Sequence, residues 1–317
     1  MSADKTAAGS VLRIERSSIH DGLGLRTVIF LKGCPLNCSW CSTPESKEFA
    51  FEKGYAAELC SACGRCIESC PEKAISYTDD HLQVQTEANK CTRCSRCVGI
   101  CPSNALKMYG TTLSVSEVMR EVSKDEIFYF YSGGGVTLSG GEPLSQAGFS
   151  AAVLKKCKVL GINTAMESSL YSNYESIMMI LPWLDDLYVD IKHMDSSVHR
   201  KWVGKDNRLV LENITKMDQS TYPLTIVVRI PLIPGFNDSD QNLLATLRFC
   251  KGLSRLNKIE LLPYHRLGSE TYRHLGLNNP CIDLIPPTAD QLSERVAFMK
   301  QQNSKINICA GSGFTSE

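Results

Sequence analysis

Eleven of the chain's fifteen cysteines lie between Cys34 and Cys101, and eight of those eleven belong to one unit written twice. "CSACGRCIESCPEKAI" from Cys60 and "CTRCSRCVGICPSNAL" from Cys91 align without a gap as C-x2-C-x2-C-x3-C-P. Reduced thiols are the norm in a cytosolic chain, and disulfide frameworks belong to small secreted domains, so metal is the economical use for this concentration. Cys157, Cys250, Cys281 and Cys309 are scattered and read as ordinary buried apolar residues.

The repeat has the spacing of bacterial ferredoxins, in which the fourth cysteine of each run ligates the cluster held by the other. That swap predicts one 4Fe-4S cluster on Cys60, Cys63, Cys66 and Cys101 and another on Cys70, Cys91, Cys94 and Cys97. Pro71 and Pro102 then turn the chain away from the metal. Zinc knuckles also use C-x2-C pairs. Four cysteines within eleven residues, twice, with a trailing proline, match iron-sulfur ligation far better. Residues 54–108 are therefore expected to form a ferredoxin-like two-cluster insert, with 1–53 and 109–317 making the main domain.

Outside the insert, β-rich runs at 26–32, 134–139, 162–167, 186–192, 225–232 and 258–264 alternate with helical patterns near 114–125, 146–160, 172–181, 207–218, 238–252 and 288–303. This alternation implies an α/β fold with a parallel sheet and right-handed crossovers, doubly wound or a full or partial barrel. Polar or glycine-rich motifs follow each strand, and in a parallel barrel they converge on the C-terminal face. Formal net charge is zero, so nothing in the global field suggests nucleic acid or an anionic membrane as partner. No apolar run of membrane-spanning length and no secretory signal is visible, and a soluble cytoplasmic protein is expected.

The remaining three cysteines sit in "KGCPLNCSWCSTPE", residues 32–45. A cubane with three thiolates, here Cys34, Cys38 and Cys41, leaves one iron open. A zinc or structural cluster completed by His20 or a scattered cysteine would leave "GGEP" (140–143) and "DIK" (190–192) without a purpose. The C-x3-C-x2-C spacing, with Trp40 before the last cysteine, resembles the radical S-adenosylmethionine superfamily. With "HDGLGLRTVIFLKGCPLNCSWCSTPE" (20–45), "SGGGVTLSGGEPL" (132–144), "DIKHMD" (190–195), "RIPLIPGFND" (229–238) and "LLPYHRLG" (261–268), the chain is similar to glycyl radical enzyme activating enzymes.

The resemblance implies a partial parallel (β/α)6 barrel. It also implies reductive cleavage of S-adenosylmethionine to methionine and a 5′-deoxyadenosyl radical, which removes a Cα hydrogen from a glycine of a partner glycyl radical enzyme. The two-cluster insert marks activators of decarboxylases, eliminases and dehydratases, giving three 4Fe-4S clusters in all. A low-potential donor such as flavodoxin or ferredoxin and an anaerobic setting go with this chemistry. By the same resemblance Trp40 and Ser42 lie against the adenosyl group, and Gly140, Gly141 and Glu142 receive the cofactor's amino group. Asp190, Ile191, Lys192 and His265 complete the cofactor site, Lys192 among the catalytic set. Glu167, Ser168 and Asp190 match positions where relatives bind a monovalent cation, and Asp21, Gly22, Gly24 and Arg26 match a partner-docking loop. The chain departs from the pattern at Leu23, where a proline is usual, and at "ESSL" (167–170), where relatives end on glycine. A ferredoxin fused to an inert barrel would not explain the open cysteine loop. Other maturases of the superfamily usually carry auxiliary cysteines after the barrel, and no G-x-G-x-x-G marks a dinucleotide site.

Overall fold

The computed structural model describes residues 7–311. Its strands are β1 (Ala8–Ser18), β2 (Arg26–Leu31), β3 (Glu52–Tyr55), β4 (Ile75–Tyr77), β5 (Val84–Thr86), β6 (Leu106–Tyr109) and β7 (Thr111–Ser114). They continue with β8 (Gly135–Gly140), β9 (Asn163–Ser168), β10 (Asp186–Asp190), β11 (Thr225–Leu232), β12 (Leu256–Pro263) and β13 (Ile308–Ala310). Among the described residues, nine of these form one sheet in the order β13-β12-β11-β10-β9-β8-β2-β1-β7. The six expected strands are β2 and β8 to β12, each a parallel neighbour of the next in chain order. Strands β1 and β7 add antiparallel edges beside β2, and β13 extends the parallel run beyond β12. These three were not visible in the sequence: β1 carries charges among its apolar residues, and β7 and β13 are short.

Strand residues alternate between faces, and the two faces differ in kind. One contributes Ile29, Leu31, Leu138, Met166, Leu187 and Val228 to the apolar core, against helices such as Ala147–Val159 and Arg208–Asp218. Each fully buried aliphatic side chain there contributes about 1.5–3 kcal/mol. The other face carries Arg26, Thr137, Ser139, Glu167, Tyr188, Arg229 and Glu260, linked by hydrogen bonds and ion pairs. Its polar groups make this second face the one that can carry chemistry.

Strands β3 and β6 pair antiparallel, Glu52 opposite Tyr109, and bracket the insert. Inside it lie the β4–β5 hairpin and two short helices, Arg65–Glu68 and Arg96–Ile100. The repeat is written in the backbone too: Ala62 and Gly64 have φ of 51° and 72°, and Arg93 and Ser95 have 56° and 63°. A left-handed residue beside a right-handed one turns successive peptide N–H groups toward a common anion, the kind of concavity that iron-sulfur sites use. The insert is tied to the main sheet by Lys32, whose buried ammonium donates to the carbonyl of Glu45 (2.6 Å) and to Glu52 (2.8 Å). Glu58 adds contacts to Arg273 (3.4 Å) and His274 (3.1 Å).

Candidate active site

The cysteine loop leaves β2 at its C-terminal end and is gripped from both sides. Asn37 N and Ser39 N donate to the carbonyls of Val203 (2.9 Å) and Trp202 (3.0 Å). Those carbonyls end helix Ser196–Val203, which Asp195 caps by accepting from Ser197 N and Val198 N. Leu36 and Trp40 enter an apolar cluster with Ile233, Phe236 and Tyr264, against which Cys34 and Cys38 lie. The rings of Trp40 and Phe236 are 4.6 Å apart. Burial raises the Cys34 thiol and pushes the Cys38 thiol up to about 11. Such thiols hold their protons until a metal displaces them. Among the described residues no three His, Cys, Asp or Glu side chains converge as they would round one ion. Three thiols on one loop are a donor set that fits a polynuclear cluster, whose thiolates bind separate irons.

The "SGGEP" turn lies directly on this loop. Gly141 N donates to Leu31 O (2.7 Å) and Glu142 N to Gly33 O (2.9 Å). A Cβ on Gly140 would come within 2.5 Å of Leu31 N, and one on Gly141 within 2.4 Å of Gly33 O. The close approach that demands these glycines is therefore to β2 and the base of the cysteine loop. The Glu142 carboxylate is buried and raised by that burial, and it accepts from Ser168 Oγ (2.6 Å), Ser169 N (2.9 Å) and Ser169 Oγ (2.6 Å). Its oxygens brace the turn against the end of β9.

Asp190 and Lys192 meet at 2.6 Å at the end of β10. Burial alone would depress Lys192, but Asp190 and the nearby thiols of Cys38 and Cys34 hold it above its ordinary range. This cation therefore belongs to the cysteine loop's surroundings. Ile191 points away into the apolar core, so only its backbone can face a ligand there. Two buried asparagines hold the segment: Asn237 Nδ2 donates to Lys192 O (2.8 Å) and Pro231 O (2.6 Å), and Asn207 Nδ2 to His193 O (2.9 Å) and Met194 O (2.8 Å). His265 follows β12, its imidazole lowered by burial. Close by, a Cβ on Gly268 would lie 2.7 Å from Ser42 O, so this loop abuts the cysteine loop.

The residues expected round a cation are engaged separately. Glu167 is ion-paired with Arg229 and accepts from Ser139 Oγ (2.6 Å), Ser168 donates to Glu142, and Asp190 is paired with Lys192. Glu167 and Ser168 are strand neighbours whose side chains take different partners on opposite sides. Arg229 also donates to Glu260 (2.9 Å) and to His20 O (3.1 Å), and its two carboxylate partners hold it above the usual range. Leu170 stands with φ 55°, a left-handed conformation costly for a side chain, fully buried. Its carbonyl accepts from Asn213 (2.9 Å), and this packing retains the turn that a glycine would make freely.

The "DGLGLR" segment precedes β2 and packs on the polar face of the sheet: the carbonyl of His20, just before it, accepts from Arg229 (3.1 Å), and the Asp21 charge acts on Glu167. Asp21 accepts from Ser18 Oγ, and its carbonyl from Thr137 Oγ1 (2.7 Å). Gly22 and Gly24 have φ of 138° and 70°. Arg26, named from the sequence as a docking residue, is 1% exposed and donates to Thr137 Oγ1, Leu23 O, Asn163 Oδ1, Val136 O and Asn163 O. Five acceptors meet the five N–H groups of a guanidinium. Arg26 braces β2 to β8 and β9 and has nothing left for a partner.

In the insert, Cys60, Cys63, Cys66 and Cys101 line one small cavity, and Cys70, Cys91, Cys94 and Cys97 line the other. The fourth thiol of each set comes from the other run. Arg229, Asn237 and Asn207 were not singled out from the sequence. The signal for the first two was present, since both lie in "RIPLIPGFND", but their roles depend on partners tens of residues away.

Comparison with known proteins places these motifs. The pattern of the Radical SAM superfamily matches residues 85–247, a 4Fe-4S dicluster domain residues 53–102 and a 4Fe-4S single cluster domain residues 20–77. The chain is 40% identical over 310 residues to an isethionate sulfite-lyase activating enzyme of Desulfovibrio desulfuricans, covering 93% of this chain and 99% of the relative. It is 40% identical over 279 residues to a (2S)-3-sulfopropanediol dehydratase activating enzyme of Klebsiella oxytoca, covering 86% and 87%. A choline trimethylamine-lyase activating enzyme of Oleidesulfovibrio alaskensis is 36% identical over 303 residues, covering 94% and 97%. A radical SAM methyltransferase from Sphaerobacter thermophilus shares the fold, with TM-score 0.52 at 12% identity over 90% of this chain and 66% of that one. Among the described residues no helix is long and apolar enough to cross a membrane.

Proposed function

Because the chain belongs to the glycyl radical enzyme activating enzymes of the radical S-adenosylmethionine superfamily, we propose that Cys34, Cys38 and Cys41 hold its catalytic 4Fe-4S cluster with one iron left for the cofactor. Cluster and S-adenosylmethionine together supply a one-electron cleavage to methionine and a 5′-deoxyadenosyl radical, which takes a Cα hydrogen from a glycine of the partner enzyme. The chain's own residues bind, orient and exclude water. Lys192, pinned by Asp190, holds the cofactor's carboxylate, and Asp190 its ribose. Gly140 and Gly141 offer backbone carbonyls to the amino group, with Glu142 bracing the turn. Trp40, Ser42 and His265 line the adenosyl side, and the cage round Phe236 keeps water from the cysteine loop. The observation that carries this reading is the juxtaposition of a three-thiol loop with a buried Lys192, ion-paired to the half-buried Asp190, at the C-terminal end of a parallel sheet.

The main domain, residues 1–53 and 109–317, is read as a partial (β/α)6 barrel, and 54–108 as an inserted domain carrying two further 4Fe-4S clusters on the swapped cysteine sets. The partner is a glycyl radical lyase, dehydratase or decarboxylase, in keeping with the names of the relatives. Asp21 and the two glycines after it are candidates for its docking loop. The test is anaerobic incubation of reconstituted protein with dithionite and S-adenosylmethionine, with and without candidate partners. 5′-Deoxyadenosine and a glycyl doublet in electron paramagnetic resonance are expected. No 5′-deoxyadenosine would remove the reading, and cleavage without a doublet across a broad partner set would remove the partner assignment alone.

A further inference from the structure

The two cysteine cavities of the insert are built alike but charged differently. Arg65 and Arg96 occupy the same place in the repeat and each lines its own cavity. The second cavity adds two cations, Arg93 and Lys53, against one carboxylate, Glu72. Arg93 stands where the first repeat has Ala62, in the same left-handed conformation, so the backbone at that spot is common to both and the charge is not. Arg93, Cys94 and Arg96 are all exposed. Exposed arginines elsewhere are tied down, as Arg200 and Arg208 are by Asp206. Among the described residues, neither Arg93 nor Arg96 has a carboxylate within ion-pair distance. On a chain of zero net charge, an excess of cations round an exposed thiol marks a place where something anionic arrives.

We propose that the cavity of Cys70, Cys91, Cys94 and Cys97 is where electrons reach this enzyme, and that Arg93 and Arg96 dock an acidic one-electron carrier protein of the iron-sulfur or flavin class. This rests on the reading that the cavity holds a 4Fe-4S cluster. The step balances simply: the carrier loses one electron and is oxidised, and the cluster gains it and is reduced, with no bond made and no proton moved. Charge complementarity at such a patch acts on the encounter rate, by tenfold or more at low salt, and is screened as salt rises. The same cations favour the reduced, more negative cluster, so this member of the pair is the easier one to reduce. The first cavity, with a single cation, is left for the next transfer.

The experiment uses full-length reconstituted protein and follows reduction of the insert clusters, by stopped-flow absorbance and electron paramagnetic resonance, with no S-adenosylmethionine present. The reductants are a reduced acidic plant-type ferredoxin and photoreduced 5-deazaflavin, a small uncharged donor, and the readout is the ratio of their rates. In the unaltered protein the ratio should fall steeply between low and high salt. In R93E/R96E it should fall at least about tenfold at low salt and lose its salt dependence, while R65E should lower it by no more than about threefold. A salt-independent ratio in the unaltered protein, or an R65E effect equal to that of the double variant, overturns the proposal. Should the charge-reversed variant fail to load clusters, R93Q/R96Q and the salt series on the unaltered protein decide the matter. Absence of any insert cluster signal would instead remove the reading of the cavities.

Discussion

The two kinds of thiol site in this chain are opposites in design. In the insert, four cysteines surround each cavity, one thiol of each set is exposed, and charged groups stand at the rim. In the loop after β2 there are three thiols, half-buried among Leu36, Trp40 and Phe236, with a buried lysine beside them and the buried Cys281 in the same apolar cluster. A complete ligand set near water can exchange electrons but cannot take up a substrate. An incomplete set in an apolar enclosure can take up a substrate and shield what forms there. On the function proposed above, the fold separates collecting electrons from using them.

That contrast is open to attack, and the largest effect should come from its incomplete side. Cys38→Ala should abolish 5′-deoxyadenosine formation, a loss beyond the ~10–100-fold typical of losing an outer-shell contact, while iron falls by only about a third, since two of three clusters remain. Loss of all iron would mean that the two sites are not independent. Lys192→Ala removes the buried cation and leaves Asp190 unpaired, so KM for S-adenosylmethionine should rise about 10–100-fold. A change confined to kcat would deny Lys192 a place in binding. Asn237→Ala strands the carbonyls of Lys192 and Pro231 and the amide of Ile233. It should cost about 2–4 kcal/mol in denaturant unfolding and loosen cofactor binding through the displaced Lys192 segment. The smallest effect belongs to the complete side: Cys94→Ser should slow dithionite-driven cleavage by less than about tenfold, because a small reductant can bypass the insert. A loss as deep as that of Cys38→Ala would erase the distinction.

Much of this could be read along the chain. The swapped ligand sets follow from one unit repeated in register, and the six parallel strands follow from β-branched runs such as "TIVVRIPL" bounded by turn residues. Other features were out of reach. Arg26 reads as a loop arginine beside two glycines, yet it is consumed by acceptors more than 100 residues away on β8 and β9. Glu167, Ser168 and Asp190 read as one oxygen cluster, but Arg229, Glu142 and Lys192 each claim one of them. Helix Ser196–Val203, unseen in the periodicity, turned out to anchor the cysteine loop through two carbonyls.

What the sequence settled on its own is the inventory and its local order: which thiols travel together, and which strands succeed one another. Both are matters of spacing along a chain, and covalent distance enforces them. What only the folded molecule decided is how charge is shared out. Ion pairing and burial depend on which strands lie side by side and which way each side chain turns, and those neighbours come from segments that the linear order keeps far apart.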